Sequence, residues 1–329
     1  MEHPTPQALQ LTHSVESPAD GVSAVEVAIL LCTYNGRPFL KEQIESFIAQ
    51  THKNWTLYVS DDGSSDGTLA VFEEYRNLIA TNRIKIFAGP RTGFAQNFIS
   101  LIRNDQIIAD YFAFSDQDDI WFQDKLERSI DQLKLLPQNL PAMYCSRTRL
   151  IDENRNIIGY SPKFIRNPNF QNALIQSIAG ANTMLINNST RKLLNCIPAD
   201  INIIAHDWLT YLLTSGCGGT VIYDIQPTLD YRQHSGNVIG ANTGIKERII
   251  RFGKVIDGQF RNWSDSNLKV LDCVETELTA TSRKTINEFK QGRESNFFKR
   301  IYLLKKSGIY RQTLKGNISL CLAILFNKI

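Results

Sequence analysis

The chain has 329 residues, 43% of them hydrophobic, with 36 Lys and Arg balanced against 33 Asp and Glu. That is enough apolar material for a buried core and leaves room for one large domain plus an appendage. Six scattered cysteines with no Cys-x-x-Cys pair read as reduced core thiols in preference to a disulfide framework or a zinc site. Residues 1–23 are polar and lack the apolar stretch of a secretory signal, so they are expected to form a mobile tail on a cytoplasmic protein.

Residues 25–32 (VEVAILLC) and 55–60 (WTLYVS) read as strands separated by an amphipathic helix over 40–50, which makes a βαβ unit. The first strand runs into Thr33-Tyr34-Asn35-Gly36, and the second into Asp61-Asp62-Gly63-Ser64-Ser65-Asp66-Gly67-Thr68. For Asp66 and the two glycines the preferred reading is a turn followed by a helix N-cap. Residues 84–87 form a short strand. A loop over 88–93 carrying Arg91 then leads into a helix over 94–103.

The next apolar run, residues 111–114, ends in Ser115-Asp116-Gln117-Asp118-Asp119-Ile120-Trp121. Side chains alternate along a strand, so an Asp-x-Asp at its end sends both carboxylates to one side. Convergent hard oxygens suit Mg²⁺ or Mn²⁺, which typically takes one or two protein carboxylates plus the oxygens of a bound diphosphate. Alone, the triplet is better read as a turn, or as a cap for the helix expected over 124–135. The acidic end of the second strand changes that balance, because ligands of open α/β sheets sit at the carboxyl ends of strands. Further on, 142–147 is a strand candidate and 161–168, rich in Pro and Asn, a loop. Gly180-Ala181-Asn182-Thr183 precedes an apolar MLI. His206-Asp207-Trp208 opens a helix over 208–215, and Tyr231-Arg232-Gln233-His234 follows the strand-like LDY.

The run ILLCTYNGRPFLKEQIESFIAQTHKNWTLYVSDDGSSDGT, followed by FSDQDDIWFQDKL, closely resembles inverting glycosyltransferases of family 2, and AHDWLTYLL and LDYRQHSGNVIG resemble its bacterial rhamnosyltransferase-type members. The resemblance implies a GT-A fold, a Rossmann-like nucleotide-binding mixed α/β sheet flanked by helices, with the catalytic domain over 24–243. It implies that Tyr34, between Thr33 and Asn35, stacks on the nucleotide base while Asp62 accepts a base N–H. Asp116 would face the ribose, Asp118 would bind the metal, and Asp207 would be the general base. Arg91 is a further candidate donor contact, and Arg232 and His234 are candidates for the diphosphate or the metal. Gly180 to Thr183 resembles the stretch lining the acceptor cleft.

The implied reaction is a metal-dependent, inverting, non-processive transfer from a nucleotide sugar. The implied donor is dTDP-L-rhamnose, with UDP-sugars open, and the implied acceptor a lipid-linked or growing bacterial surface polysaccharide. A sugar-nucleotide nucleotidyltransferase would carry a Gly-rich basic loop after its first strand, of which TYNGRPF offers little. A non-catalytic carbohydrate-binding module leaves three acidic strand ends unexplained. A dinucleotide dehydrogenase lacks its Gly-x-Gly-x-x-Gly here, and no nucleic-acid partner is expected.

After residue 243 the pattern becomes helical, and 244–329 is expected to be a basic, amphipathic appendage. Residues 297–329 hold seven Lys or Arg and no Asp or Glu, which leaves the rest of the chain with 29 basic against 33 acidic side chains. Such a segment suits the surface of an anionic membrane, on its cytoplasmic face, and equally suits packing on the body or on a second copy in a homo-oligomer. Its closing apolar run is shorter than the roughly 20 residues that span a bilayer.

Overall fold

The computed structural model describes residues 25–79, 81–234 and 259–329. The expected tail and the expected boundary near residue 243 lie outside the described residues. β1 (Val27–Thr33) is buried along its whole length, as befits a continuous apolar run in a parallel sheet covered on both faces. α1 (Arg37–Ile48) accepts Pro38 in its first turn, where a missing N–H breaks no helical bond, and buries Leu40, Ile44 and Phe47 on one face. β2 (Trp55–Asp61), α2 (Thr68–Leu78), β3 (Ile84–Ala88), α3 (Phe94–Arg103) and β4 (Tyr111–Ser115) follow, close to their expected positions. The cap of α2 differs from expectation. Gly67, at φ 90°, holds the cap position, and Asp66 accepts the Thr68 N–H at 2.9 Å from one residue earlier.

The chain continues through β5 (Ile120–Trp121), α4 (Lys125–Leu133), β6 (Ala142–Ser146), β7 (Arg149–Ile151), β8 (Ile157–Tyr160), α5 (Phe170–Ala173) and β9 (Leu185–Asn187). α6 (Asn188–Asn195), α7 (His206–Gly216), β10 (Thr220–Asp224) and β11 (Leu229–Arg232) complete this part. Seven strands form one mixed sheet in the order β10-β6-β9-β4-β1-β2-β3, parallel except for β9, which runs antiparallel to both neighbours. In register, Thr33 lies beside Asp61 and Leu31 beside Ser115, so the carboxyl ends of β4, β1 and β2 form one ledge. A second sheet, β5-β11-β7-β8, is absent from the sequence reading except for β11. Pairing of β11 with β5, Asp230 beside Ile120, carries the residues after β11 back to the Asp-x-Asp loop.

α8 (Gln259–Cys273), α9 (Ala280–Glu294), α10 (Phe297–Lys306) and α11 (Leu314–Leu325) form the expected helical C-terminal region. Thr279, Asn296 and Thr313 each accept a first-turn N–H and so cap the last three helices. Phe260, Leu271, Phe289, Leu304 and Leu320 join Tyr211, Leu212 and Ile178 in one apolar core, so this region packs on the body. All six cysteines are free, but Cys196, Cys273 and Cys321 are exposed, which corrects the expectation of core thiols for those three.

Candidate active site at the strand ends

The sequence candidates on three strands meet at the ledge. Tyr34 projects from the end of β1 with 60% of its surface exposed, an open aromatic face beside the acids. Gln117, the middle residue of Asp-x-Asp, holds this corner closed. Its Oε1 accepts the Thr33 hydroxyl at 2.6 Å and the Tyr34 N–H at 3.0 Å, while its Nε2 donates to the Tyr34 carbonyl. A Cβ on Gly36 would lie 2.2 Å from Gln117 Oε1, so only glycine permits this clasp. Asn35, in the left-handed region at φ 49°, which Asn tolerates, spends its groups on the neighbouring loop: its N–H donates to Ser64 and its Oδ1 accepts from Ser65.

At the end of β2 the two carboxylates have different work. Asp61 is buried and accepts the Gly63 and Ser64 N–H groups, so it builds the turn. Asp62 is only half-buried and accepts the Arg91 N–H at 2.7 Å, which draws the loop after β3 toward it. Arg91 is exposed, and its side chain lies along Gly63, where a Cβ would meet Nε at 2.9 Å.

Asp116, Asp118 and Asp119 crowd the end of β4. Burial, then the charges of Asp118 and Asp207, raise the Asp116 carboxyl to about 7. Asp207 therefore lies within electrostatic reach of Asp116, which brings a helix-opening acid near the strand-end acids. Burial and then the Asp118 and Asp116 charges hold Asp119 well above the usual carboxylate range. Asp119 is fixed by Asn182, whose Nδ2 donates to Oδ2 at 2.6 Å, and by Gln43, which accepts its backbone N–H. Behind it Lys125 is fully buried, its Nζ 4.2 Å from the centre of the Trp121 ring, and burial brings this ammonium down to about 7 although the Asp119 charge opposes the shift.

His234 Nε2 lies 2.7 Å from Asp118 Oδ2, and the imidazole packs on Phe39 at 4.6 Å. Arg232 departs from its expected role. Its side chain is 1% exposed, with Nε donating to the Asp118 carbonyl and the other nitrogens to the Glu153 carbonyl and the Glu42 carboxylate. Such a guanidinium positions the Asp118 backbone from behind and does not face a donor. Asp118 and His234 supply one anionic oxygen and one imidazole nitrogen. Among the described residues no group of three or more His, Cys, Asp or Glu is arranged to hold a metal. The pair fits a cation that draws its remaining ligands from a diphosphate and water, and does not fit a closed protein cage. The surplus of buried negative charge around Asp116 favours a cation in the same way.

Asp207 lies in the first turn of α7, whose N-cap position is Ala205, so the carboxylate is not the cap. Burial raises it to about 6, against hydrogen bonds from the Trp208 N–H, at 2.6 Å, and the Ser177 hydroxyl. That value suits proton abstraction near neutral pH. The Trp208 indole donates to the Ala173 carbonyl and its ring is buried, so it is core. His206 is buried face to face with Phe98 at 4.0 Å, and burial lowers its imidazole to about 3; a neutral ring in an aromatic box is not a competing base. Sequence reasoning missed the clasp of Gln117, the bond of Asn182, named only within the 180–183 stretch, to Asp119, and the buried Lys125. The first was legible only as the spacer of a motif, and the other two needed the fold.

A family model described as glycosyl transferase family 2 matches residues 28–194. The dTDP-rhamnosyl transferase RfbG of Shigella flexneri is 31% identical over 245 residues, covering 70% of this chain and 81% of that protein. The UDP-Glc:alpha-D-GlcNAc-diphosphoundecaprenol beta-1,3-glucosyltransferase WfgD of Escherichia coli is 32% identical over 136 residues, 40% of this chain and about half (49%) of that protein's length. Among solved structures, S. aureus TarS 1-349 in complex with UDP-GlcNAc superposes with a TM-score of 0.51 at 13% identity, over 87% of this chain and 93% of that one, a likeness of fold.

Proposed function

The chain belongs to glycosyl transferase family 2 and is a glycosyltransferase; from that premise we propose that it moves a sugar from a nucleotide diphosphate donor, with inversion, using Asp207 as the base. The observation that supports this reading is that Asp118 and Asp207 both lie within electrostatic reach of Asp116; on this reading the base stands on one side of the reacting carbon and the leaving group on the other. Tyr34 offers a stacking face for the base and Asp62 an acceptor for its N–H. That pairing suits a pyrimidine, since uracil and thymine carry the same N3–H. Asp116 faces the ribose, Thr33 and Asn35 shape the floor, and Arg91 closes the donor side.

Asp118 and His234 would hold Mg²⁺ or Mn²⁺. Bound there, the cation would neutralise charge developing on the diphosphate as it leaves. Asp207 takes the proton of the acceptor hydroxyl as that oxygen attacks the anomeric carbon from the face opposite the diphosphate, and no protein nucleophile intervenes. Among donors, dTDP-L-rhamnose is the best supported, by the likeness to RfbG, and a lipid-linked or growing surface saccharide is the proposed acceptor, the likeness to WfgD, named for a diphosphoundecaprenol-linked acceptor, supporting the lipid-linked form. Hydrolysis of a panel of nucleotide sugars by purified protein, with and without EDTA, tests this. Turnover of one donor that stops with chelator supports it, and chelator-resistant turnover refutes the metal role.

A further inference from the structure

The C-terminal helices bury one face in the body and yet keep apolar residues on the other. On α11, Leu314, Ile318, Cys321 and Leu325 recur at helical spacing on one side, and they are exposed, Leu314 by 78% and Ile318 by 55%. On α10, Phe298 and Tyr302, one turn apart, are 83% and 62% exposed. A helix that meets only water carries polar residues outward. Around these side chains lie the exposed Lys299, Lys305 and Lys315, and residues 297–329 hold no acidic side chain.

We propose that the outer faces of α10 and α11 are a docking surface for an anionic lipid bilayer. Aromatic and aliphatic side chains among lysines match the acyl boundary and the headgroup charge of such a surface. At 12 residues, α11 is ~18 Å long, too short to cross, and no helix among the described residues is long and apolar enough to span. The helices therefore lie along the surface. A second copy is the poorer occupant, because a two-fold pair would set each basic face against its own image.

The surface is tied to the catalytic cleft. Between α10 and α11 the chain is pinned to α5 and its flanks. The Asn172 amide donates to the Tyr310 carbonyl, the Gln312 N–H to Gln176, and the Tyr310 hydroxyl to the Asn167 carbonyl, each at 2.9 Å. The same short helix receives the Trp208 indole N–H through Ala173, next to Asp207. Docking thus sets the base side of the cleft, with loop 161–168 and its 83% exposed Ile165, beside the lipid. This orientation rests on Asp207 marking the acceptor side, whereas the docking itself does not.

Sedimentation of the full chain with phosphatidylcholine vesicles, with or without phosphatidylglycerol, tests the docking without donor or acceptor. The expected result is binding to the anionic vesicles alone, released by salt. Lys299→Gln, Lys305→Gln and Lys315→Gln together should weaken partitioning on the order of a hundredfold. Phe298→Ser, Tyr302→Ser, Leu314→Ser and Ile318→Ser together should abolish it, with donor hydrolysis and melting temperature retained. Wild-type protein that stays in the supernatant with anionic vesicles overturns the proposal, whatever the variants do. So does a wild-type dimer by light scattering that the four-serine variant dissociates, since a second copy would then own the face.

Discussion

The carboxylate of Asp118 and the imidazole of His234 meet at 2.7 Å although 116 positions separate them in the chain. β11 arrives beside β5, and Arg232 grips the Asp118 carbonyl on the way. If the pair holds the cation, Asp118→Asn and His234→Ala should each raise the metal concentration for half-maximal activity by tenfold or so, and the double substitution should add little beyond the worse single one. Metal titrations of activity measure this. Equal and mild losses that no metal concentration restores would point to a structural contact.

Asp207 should separate chemistry from binding. Asp207→Asn is expected to lower kcat roughly 10²-fold or more while donor affinity by calorimetry stays near wild type. Because the carboxyl is raised to about 6, kcat/KM should climb with pH up to about 6 and level off above it, as the ionised form is the base. The folded chain binds this proton more tightly than the unfolded chain, so ionisation works against stability as pH rises from the ordinary carboxylate range through about 6. The Asn variant should therefore melt no lower than wild type at pH 8. An unfolding loss that tracks the activity loss would remove Asp207 from the mechanism.

Gln117 should matter through the strand ends it clasps. Gln117→Ala leaves the Thr33 hydroxyl and the Tyr34 N–H without their acceptor, at about 1–3 kcal/mol, and lets the Tyr34 corner loosen. The expected outcome is a donor KM raised about tenfold, with kcat changed less. Gly36→Ala, which drives a methyl into the same amide oxygen, should reproduce it. A KM unchanged in both variants would show that the corner does not touch the donor.

Lys125 gives a stability signature of its own. Its ammonium is lowered from the usual lysine value to about 7 by burial, so between about 7 and 10 the unfolded chain holds a proton that the folded chain lacks. Stability should rise with pH across that window, by at most about 1.4 kcal/mol per unit. Chemical denaturation of wild type and Lys125→Met should show the variant ahead at pH 7 and the gap closing toward pH 10. Parallel pH profiles would mean that Lys125 stays charged in the fold.

The nucleotide half of the fold was legible because each of its parts leaves a local signal. Val27 to Cys32 is apolar without interruption, Leu40, Ile44 and Phe47 repeat at helical spacing, and acids close two strands. The second sheet left little, since β5 has two residues, β7 three and β8 four, with Arg149 and the exposed Ile157 in its pattern. Periodicity does not register over such lengths. Arg232 was misread for a related reason. A guanidinium beside an expected diphosphate site looks like a phosphate ligand in one dimension, and only the positions of Glu42 and the Asp118 carbonyl show what it holds. Asn182 sits 63 positions from Asp119, a separation at which sequence order says nothing of contact.

The single reversed strand of the main sheet has a further consequence. Because β9 runs against β4 and β6, its beginning, and not its end, reaches the ledge, so the loop that feeds it arrives where the other strands depart. Asn182 comes from that incoming loop, whereas Tyr34, Asp62 and Asp116 come from outgoing ones. The sheet is thereby a seam between incoming and outgoing loops, with the Asn182 to Asp119 hydrogen bond as one of the contacts across it. If residues 161–183 face the acceptor as proposed, substitutions among them would change what is glycosylated while leaving the strand ends Tyr34, Asp62 and Asp116 in place, so a lineage on this scaffold could change partners without relearning its chemistry.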